Sequence, residues 1–188
     1  ANVVINSPAQ IAQSKVAGKL AAEVLAMIGE HVKAGVTTNQ LDKICHDYIV
    51  NVQKAIPGNV GYHGFPKTVC TSVNEVVCHG IPSDIPLKDG DIVNIDIAVV
   101  KDGWYGDTSR MYFVGEPSPE ARHLVKTTYE AMCAGIRVVR PGATLGDTVL
   151  IAWKPSPESA RAVTAALPLL QRAKRVHLAL WNEAPVAD

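Results

Sequence analysis

The chain has 188 residues, 47% of them hydrophobic, which is enough for one domain, or a domain with an added segment, around a substantial core. Lysine and arginine together number 18, as do aspartate and glutamate, so the net charge favours neither nucleic acid nor an anionic membrane as a partner. No basic run, membrane-spanning apolar stretch or signal peptide is recognisable, and the four cysteines form no CxxC pair. These features predict a cytoplasmic protein with free thiols.

Three helices are predicted in the first 140 residues. The first has Ser7 as its N-cap and ends at Gly35. The second follows Thr37, which has capping-box spacing to Gln40, and the third follows Ser118. The apolar residues near helical spacing in the first helix, which we expect to be buried, are Ile11, Val16, Leu20, Val24 and Ile28.

A β-hairpin is predicted over residues 91–110, with the dipeptide DG at 102–103 as a two-residue turn. In that register Ala98 faces Asp107, and Asp96 and Asp107 become diagonal neighbours on one face of the sheet. Two carboxylates so placed repel each other unless a proton or a cation lies between them, which points to a divalent metal. A three-residue turn would break this parity, and the alternative is a solvated hairpin face with two ordinary aspartates.

The C-terminal tail has a different character. Residues 149–153 and 176–181 are apolar runs typical of buried parallel strands, and a helix capped by Ser156 is predicted between them. The predicted fold class is therefore α/β (α+β), with a first part over residues 1–146 followed by a βαβ unit over residues 147–188.

Five ordered stretches of the chain resemble type I methionine aminopeptidase. They read KVAGKLAAEVL, LDKICHDYIV, GYHGFPKTVCTSVNEVVCHGIP, LKDGDIVNID and KDGWYGDTSRMYFVG, and the likeness runs from about residue 3 to residue 146. The resemblance implies the N-terminal half of the pita-bread fold. It also implies a two-metal hydrolase that removes the N-terminal methionine from nascent peptides.

The resemblance further implies roles for individual residues. Asp96 looks like a bidentate ligand of one metal, Asp107 like the carboxylate that bridges both metals, and His79 like the histidine that approaches the scissile amide. The residues that resemble the wall receiving the methionine side chain are Tyr62, His63, Phe65 and Cys70. The implied cofactors are two divalent ions of manganese, cobalt, iron or zinc. Without the resemblance, His79 would be assigned as a hydrogen-bonded structural histidine, and Phe65 and Cys70 as core residues.

The chain also departs from the family pattern. Ala98 stands where the family usually has a threonine near the metal-bound water. The family's other ligands are a histidine in a GHGIG-type segment and two later glutamates, one of which is also the general base. After Gly146 only His177, Glu158 and Glu183 occur, and none matches those motifs. Three of the five ligands and the general base are thus missing, which predicts little or no activity for these residues alone.

The tail over residues 147–188 resembles a strand–helix–strand piece of a universal stress protein, without the glycine-rich phosphate loop.

Two alternative functions remain for a chain that lacks most of the family's ligands. The chain could be a non-enzymatic peptide-binding or interaction protein, or an association module that forms a homo-oligomer through exposed sheet edges. The resemblance implies that the partners are nascent peptide N-termini that carry methionine. Neither nucleic acid nor a membrane is expected as a partner.

Overall fold

The computed structural model describes residues 4–142 and two further strands, Thr148–Trp153 and Arg175–Leu180. The chain divides into two compact units, Ala1–Ala121 and Arg122–Asp188. All of the candidate site residues lie in the first unit.

The first unit places two helices and a four-stranded antiparallel sheet together. Its elements are α1 (Pro8–Ile28), a 3₁₀ turn (Gly29–His31), α2 (Thr38–Asp47), a π-helical turn (Tyr48–Val52), β1 (Ile56–Pro57), a second 3₁₀ turn (Tyr62–Gly64), β2 (Val69–Val73), β3 (Ile92–Lys101) and β4 (Trp104–Phe113). Strand β4 pairs with β3 along its whole length. Strands β1 and β2 both pair with β3 as well, so they share its other edge.

Both predicted helix starts in this unit are confirmed by reciprocal capping hydrogen bonds. The Ser7 hydroxyl accepts from the backbone of Gln10, whose side chain accepts from the Ser7 N–H. Thr37 and Gln40 form the same pair at α2. Each cap satisfies backbone donors that the first helical turn leaves free.

The predicted end of the first helix is wrong. The α-helix stops at Ile28, a 3₁₀ turn follows, and the backbone becomes extended at Val32. Gly35 instead takes a positive φ of 86° in a later turn, where its N–H donates to the carbonyl of Leu87. The glycine is therefore a turn residue and not the helix terminator.

The buried face of α1 also differs from the prediction, because Ile11 and Val16 are exposed. The side chains of α1 that are buried are Ala17, Ala21, Val24, Leu25 and Ile28. Ala17 lies against Gly106 of β4, where an added Cβ would overlap the Ala17 backbone. These two small residues let the helix and the strand approach closely. The face of α1 that carries Ala17 and Ala21 is therefore the face that is buried against the sheet.

The predicted hairpin, the start of the third helix and the tail strands are confirmed as elements. Helix α3 (Pro119–Arg137) begins after Ser118, whose hydroxyl accepts from the Ala121 N–H. Strands β5 (Thr148–Trp153) and β6 (Arg175–Leu180) pair in parallel, as predicted. The predicted helix beginning at Ser156 lies outside the described residues, and the boundary at residue 146 stays a prediction. Within the part of the chain that is described, no helix has the length and apolarity that a bilayer crossing requires.

Candidate functional site

The hairpin that carries the two aspartates has the predicted two-residue turn. Asp102 and Gly103 have φ angles of 51° and 83°, and positive values at both positions are typical of the type I′ turn that joins twisted strands. The turn fixes the register, so Ala98 lies opposite Asp107 and Asp96 lies opposite Ser109. The turn is therefore not the three-residue turn that would place the two aspartates on opposite faces. The register keeps Asp96 and Asp107 on one face of the hairpin, as predicted.

The two aspartates lie on the face of the hairpin that turns away from the core. The residues of β3 that are buried in the core are Val93, Ile95, Ile97 and Val99, which alternate with the site face. Asp96 belongs to the opposite face and is half-buried, whereas Asp107 is exposed. Because directly opposed residues in an antiparallel pair share a face, Asp96 and Asp107 are diagonal neighbours there.

The environment of Asp96 disfavours its negative charge. Burial raises the pKa of Asp96, and repulsion from Asp107 raises it further. His79 and a hydrogen bond from the Ile97 backbone act in the opposite direction and lower the pKa. A cation between the two carboxylates would relieve the repulsion, and carboxylate oxygens are suitable ligands for hard or borderline divalent metals.

His79 interacts electrostatically with Asp96, and its segment lies beside β2. The Thr71 N–H donates to the Gly80 carbonyl at 2.7 Å, and the Gly80 N–H donates to the Ser72 hydroxyl at 3.1 Å. Only glycine fits at position 80, since a Cβ there would overlap the Thr71 carbonyl. His79 itself has a φ of 55°, a conformation that costs free energy in a non-glycine residue and is often retained at functional sites.

Cys70 is placed beside the aspartate pair by strand pairing. It lies directly opposite Asp96 on β2, so the two side chains share the site face. Burial raises the pKa of Cys70 to about 11, with further contributions from Asp96, Cys78 and Asp107. The thiol is therefore protonated at neutral pH and presents a soft, apolar surface. Exposed Cys78 joins this group; its adjacency to His79 in the sequence was a signal too weak to assign it.

Tyr62, His63 and Phe65 lie together in the loop between β1 and β2. The rings of Tyr62 and His63 meet edge to face at 4.4 Å, and the Gly61 N–H donates to the Phe65 carbonyl. Tyr62 and His63 are exposed and Phe65 is half-buried. Within residues 4–142 the ring contact joins Tyr62 to His63, and no hydrogen bond or ring contact joins these three residues to the aspartates. The link to the site is made by Asn59, whose amide donates to the backbone carbonyl of Asp96 at 3.4 Å.

The donor set fits part of a metal site. Asp96 and Asp107 supply carboxylate oxygens from one face, but within residues 4–142 no group of three or more His, Cys, Asp or Glu side chains is arranged to hold a metal ion. Two carboxylates alone give weak and poorly selective metal binding. Further ligands are required for a tight site.

Residues 12–166 match the model of metallopeptidase family M24. The chain belongs to metallopeptidase family M24. Membership of this family implies divalent metal ions, in agreement with the aspartate pair. The family match continues beyond residue 146, where the likeness noted in the sequence ends, and the stress-protein resemblance of residues 147–188 stays a prediction.

This M24 chain is similar to bacterial methionine aminopeptidases. It is 56% identical over 145 residues to the enzyme of Rickettsia prowazekii, covering 77% of this chain and 56% of that one. It is 55% identical over 146 residues to the enzyme of Escherichia coli strain K12, covering 77% of this chain and 55% of that one. The crystal structure of the Rickettsia prowazekii enzyme superimposes with a TM-score of 0.76 at 55% identity, covering 78% of this chain and 58% of that one.

These similarities confirm the resemblance to type I methionine aminopeptidase and the pita-bread architecture predicted from the sequence. The chain spans about half the length of the curated relatives that it matches.

Proposed function

We propose that this chain carries the aspartate half of a methionine aminopeptidase site, which in complete form removes the N-terminal methionine from peptides. The observation that carries the proposal is the hairpin register, which makes Asp96 and Asp107 diagonal neighbours on the face of the hairpin that turns away from the core. The similarity to enzymes called methionine aminopeptidases supports the reaction and the substrate class.

The aspartates have distinct proposed roles. Asp96 would supply carboxylate ligands to one divalent metal, and Asp107 would supply carboxylate ligands to a pair of metals, as the family resemblance implies. When bound, such metals would lower the pKa of a water molecule and polarise the peptide carbonyl. The exposure of Asp107 and the partial burial of Asp96 leave room for ligands from above the sheet.

The surrounding residues are proposed to receive the substrate. His79 approaches the scissile amide, because its segment lies along β2 next to Asp96. Cys70 and Phe65, with Tyr62 and His63, form the wall that receives the methionine side chain. A neutral thiol and aromatic rings provide an apolar, polarisable surface that suits a thioether.

Catalysis by these 188 residues alone is expected to be weak or absent. Residues 147–188 contain no counterpart of the histidine and glutamate motifs that complete the family site. Without a general base and three ligands, the rate should fall by several orders of magnitude. The alternative function of these residues is then binding of methionine-bearing peptide N-termini without hydrolysis.

The deciding experiment measures release of methionine from a Met-Ala peptide by the chain, with manganese, cobalt or iron added. Asp107→Asn is the control, because it removes the bridging carboxylate and keeps the size of the side chain. Turnover that the substitution abolishes would establish an active site, and a fast rate would overturn the expectation of weak activity. Turnover no greater than that of the control, with peptide binding retained, would support the binding role.

Two further proposals concern context. We propose a cytoplasmic location, supported by four free cysteines in a chain without a disulfide.

We also propose self-association through the outer edge of β4, which among the described strands pairs with β3 alone. Sedimentation velocity across a range of protein concentrations tests the self-association, and a concentration-independent monomer would overturn it.

A further inference from the structure

The loop that carries the proposed methionine wall leaves and rejoins the sheet at almost the same point. Strand β1 ends opposite Val99, and β2 begins opposite Ile97. Residues 58–68, here named the pocket loop, therefore leave the sheet opposite Val99 and return to it opposite Ile97, on either side of Ala98. Both ends of the pocket loop meet the strand that bears Asp96.

One side chain closes the neck of the pocket loop. The amide nitrogen of Asn59 donates to the carbonyl of Thr68 at 3.2 Å and to the carbonyl of Asp96 at 3.4 Å. The adjacent Gly58 N–H donates to the Ala98 carbonyl at 2.7 Å. The Asn59 amide thus joins the first part of the loop to its last residue and to the metal-ligand strand at once. No other side chain of the described residues makes both of these connections.

The part of the pocket loop beyond this neck is strained and mostly solvent-exposed. His63 has a φ of 47° between two glycines, Gly61 and Gly64, that also have positive φ values. Such a turn persists only when the surrounding structure holds it in place. The bonds of Asn59 connect the two ends of the loop that carries this turn with the backbone of Asp96.

We propose that Asn59 is a positioning residue for peptide selection. By bridging Thr68 and Asp96, it fixes the wall formed by Tyr62, His63 and Phe65 at a set distance from the metal ligands. Asp96 and Asp107 would hold the metal to which the peptide N-terminus binds, and the wall would receive the first side chain of the peptide, so the fixed distance between them sets the preference for methionine. This inference rests on the proposed function.

The test compares Asn59→Ala with Asn39→Ala in the full chain. Asn39 is the matched control, because its amide donates to Asp84 at 2.7 Å, outside the pocket loop. Three quantities are measured: amide hydrogen exchange at residues 61–65, manganese affinity, and the ratio of affinities for Met-Ala-Ser and Ala-Ala-Ser peptides in the presence of manganese. Asn59→Ala is expected to speed exchange in the loop and to reduce the peptide ratio about tenfold, with manganese affinity within about twofold of the wild type. Asn39→Ala should change none of the three.

The outcomes separate this inference from the function on which it rests. Unchanged exchange, or faster exchange with an unchanged peptide ratio, would overturn the positioning role and leave the proposed function standing. Manganese binding that is insensitive to Asp107→Asn would instead overturn the proposed function. If Asn59→Ala does not fold, Asn59→Ser replaces it, because its hydroxyl can donate one hydrogen bond at the neck. That variant should lose part of the peptide ratio, and a ratio equal to that of the wild type would overturn the inference.

Discussion

At the scale of the residue, the site face holds groups that oppose folding. Asp96 is a half-buried carboxylate beside a second carboxylate, and its pKa is raised by burial and by Asp107. A raised pKa means that the folded chain disfavours the ionised form more than the unfolded chain does. The aspartate pair is therefore expected to cost stability in the metal-free protein, as is common at sites selected for function.

The substitution Asp96→Asn should raise the thermal unfolding midpoint at pH 7. Below the pKa of an unfolded aspartate, about 3.9, Asp96 is protonated in both the folded and the unfolded chain, so its charge costs no stability. The penalty grows as the pH rises through that value and is complete above the raised pKa of the folded state. Solvent screens a half-exposed group, so the expected gain in the free energy of unfolding at pH 7 is at most about 1 kcal/mol. Thermal melts at pH 7 and pH 3 check it.

Asp47→Asn serves as the control, since it removes only an exposed ion pair with Lys43. It should lower the free energy of unfolding by no more than about 0.5 kcal/mol. An Asp96→Asn variant that is less stable than the wild type at pH 7 would contradict the prediction.

At the scale of the element, the site depends on how closely α1 approaches the hairpin from the opposite side. Gly106 of β4 touches the backbone of Ala17, and the hydroxyl of Tyr112 donates to the Leu25 carbonyl at 2.6 Å. These contacts hold the core face of the hairpin against the helix. The aspartates lie on the opposite face of the hairpin, because successive side chains along a strand point to opposite faces of the sheet.

The substitution Gly106→Ala should destabilise the protein by about 1–3 kcal/mol or more, because the new methyl group would overlap the Ala17 carbonyl and the helix would have to move. Gly18→Ala is the matched substitution on the helix itself. Nothing lies within 4 Å of its added Cβ. It should stabilise α1 by about 0.5–1 kcal/mol, since alanine restricts the unfolded backbone more than glycine does. Urea unfolding of both variants measures the difference, and a Gly106→Ala variant as stable as the wild type would contradict the close contact between Gly106 and Ala17.

At the scale of the whole molecule, the described residues supply only part of what a tight metal site needs. Both aspartates come from one hairpin, and the chain spans 56% of the length of its Rickettsia prowazekii relative. A weak site can still couple to folding, because a ligand that binds only the folded state stabilises it by mass action.

Manganese at about ten times its dissociation constant should therefore raise the free energy of unfolding by about 1.4 kcal/mol. The thermal midpoint should rise accordingly and return to its starting value when the metal is removed with a chelator. Asp107→Asn should abolish the rise, because a single remaining carboxylate binds manganese poorly. An equal rise in that variant would place the metal elsewhere on the chain.

The sequence predicts most reliably those features that local chemistry decides. The DG dipeptide determines the turn, and the turn determines the register that pairs Ala98 with Asp107. The buried face of α1 could not be predicted in the same way, because it depends on a contact between Ala17 and Gly106, far apart in the sequence. The alignment of His79 with Asp96 and the bridge made by Asn59 likewise depend on tertiary contacts that no local pattern signals.

The two ends of the loop formed by residues 58–68 join the sheet at adjacent points of β3, on either side of Ala98. This arrangement has an evolutionary consequence. Insertions or deletions in this stretch do not alter the register of either neighbouring strand, since its two ends stay anchored at adjacent points. The cost of a longer excursion grows only slowly with its length. Under the proposed function, changes in residues 58–68 would therefore alter substrate preference without changing the register of the hairpin that carries Asp96 and Asp107.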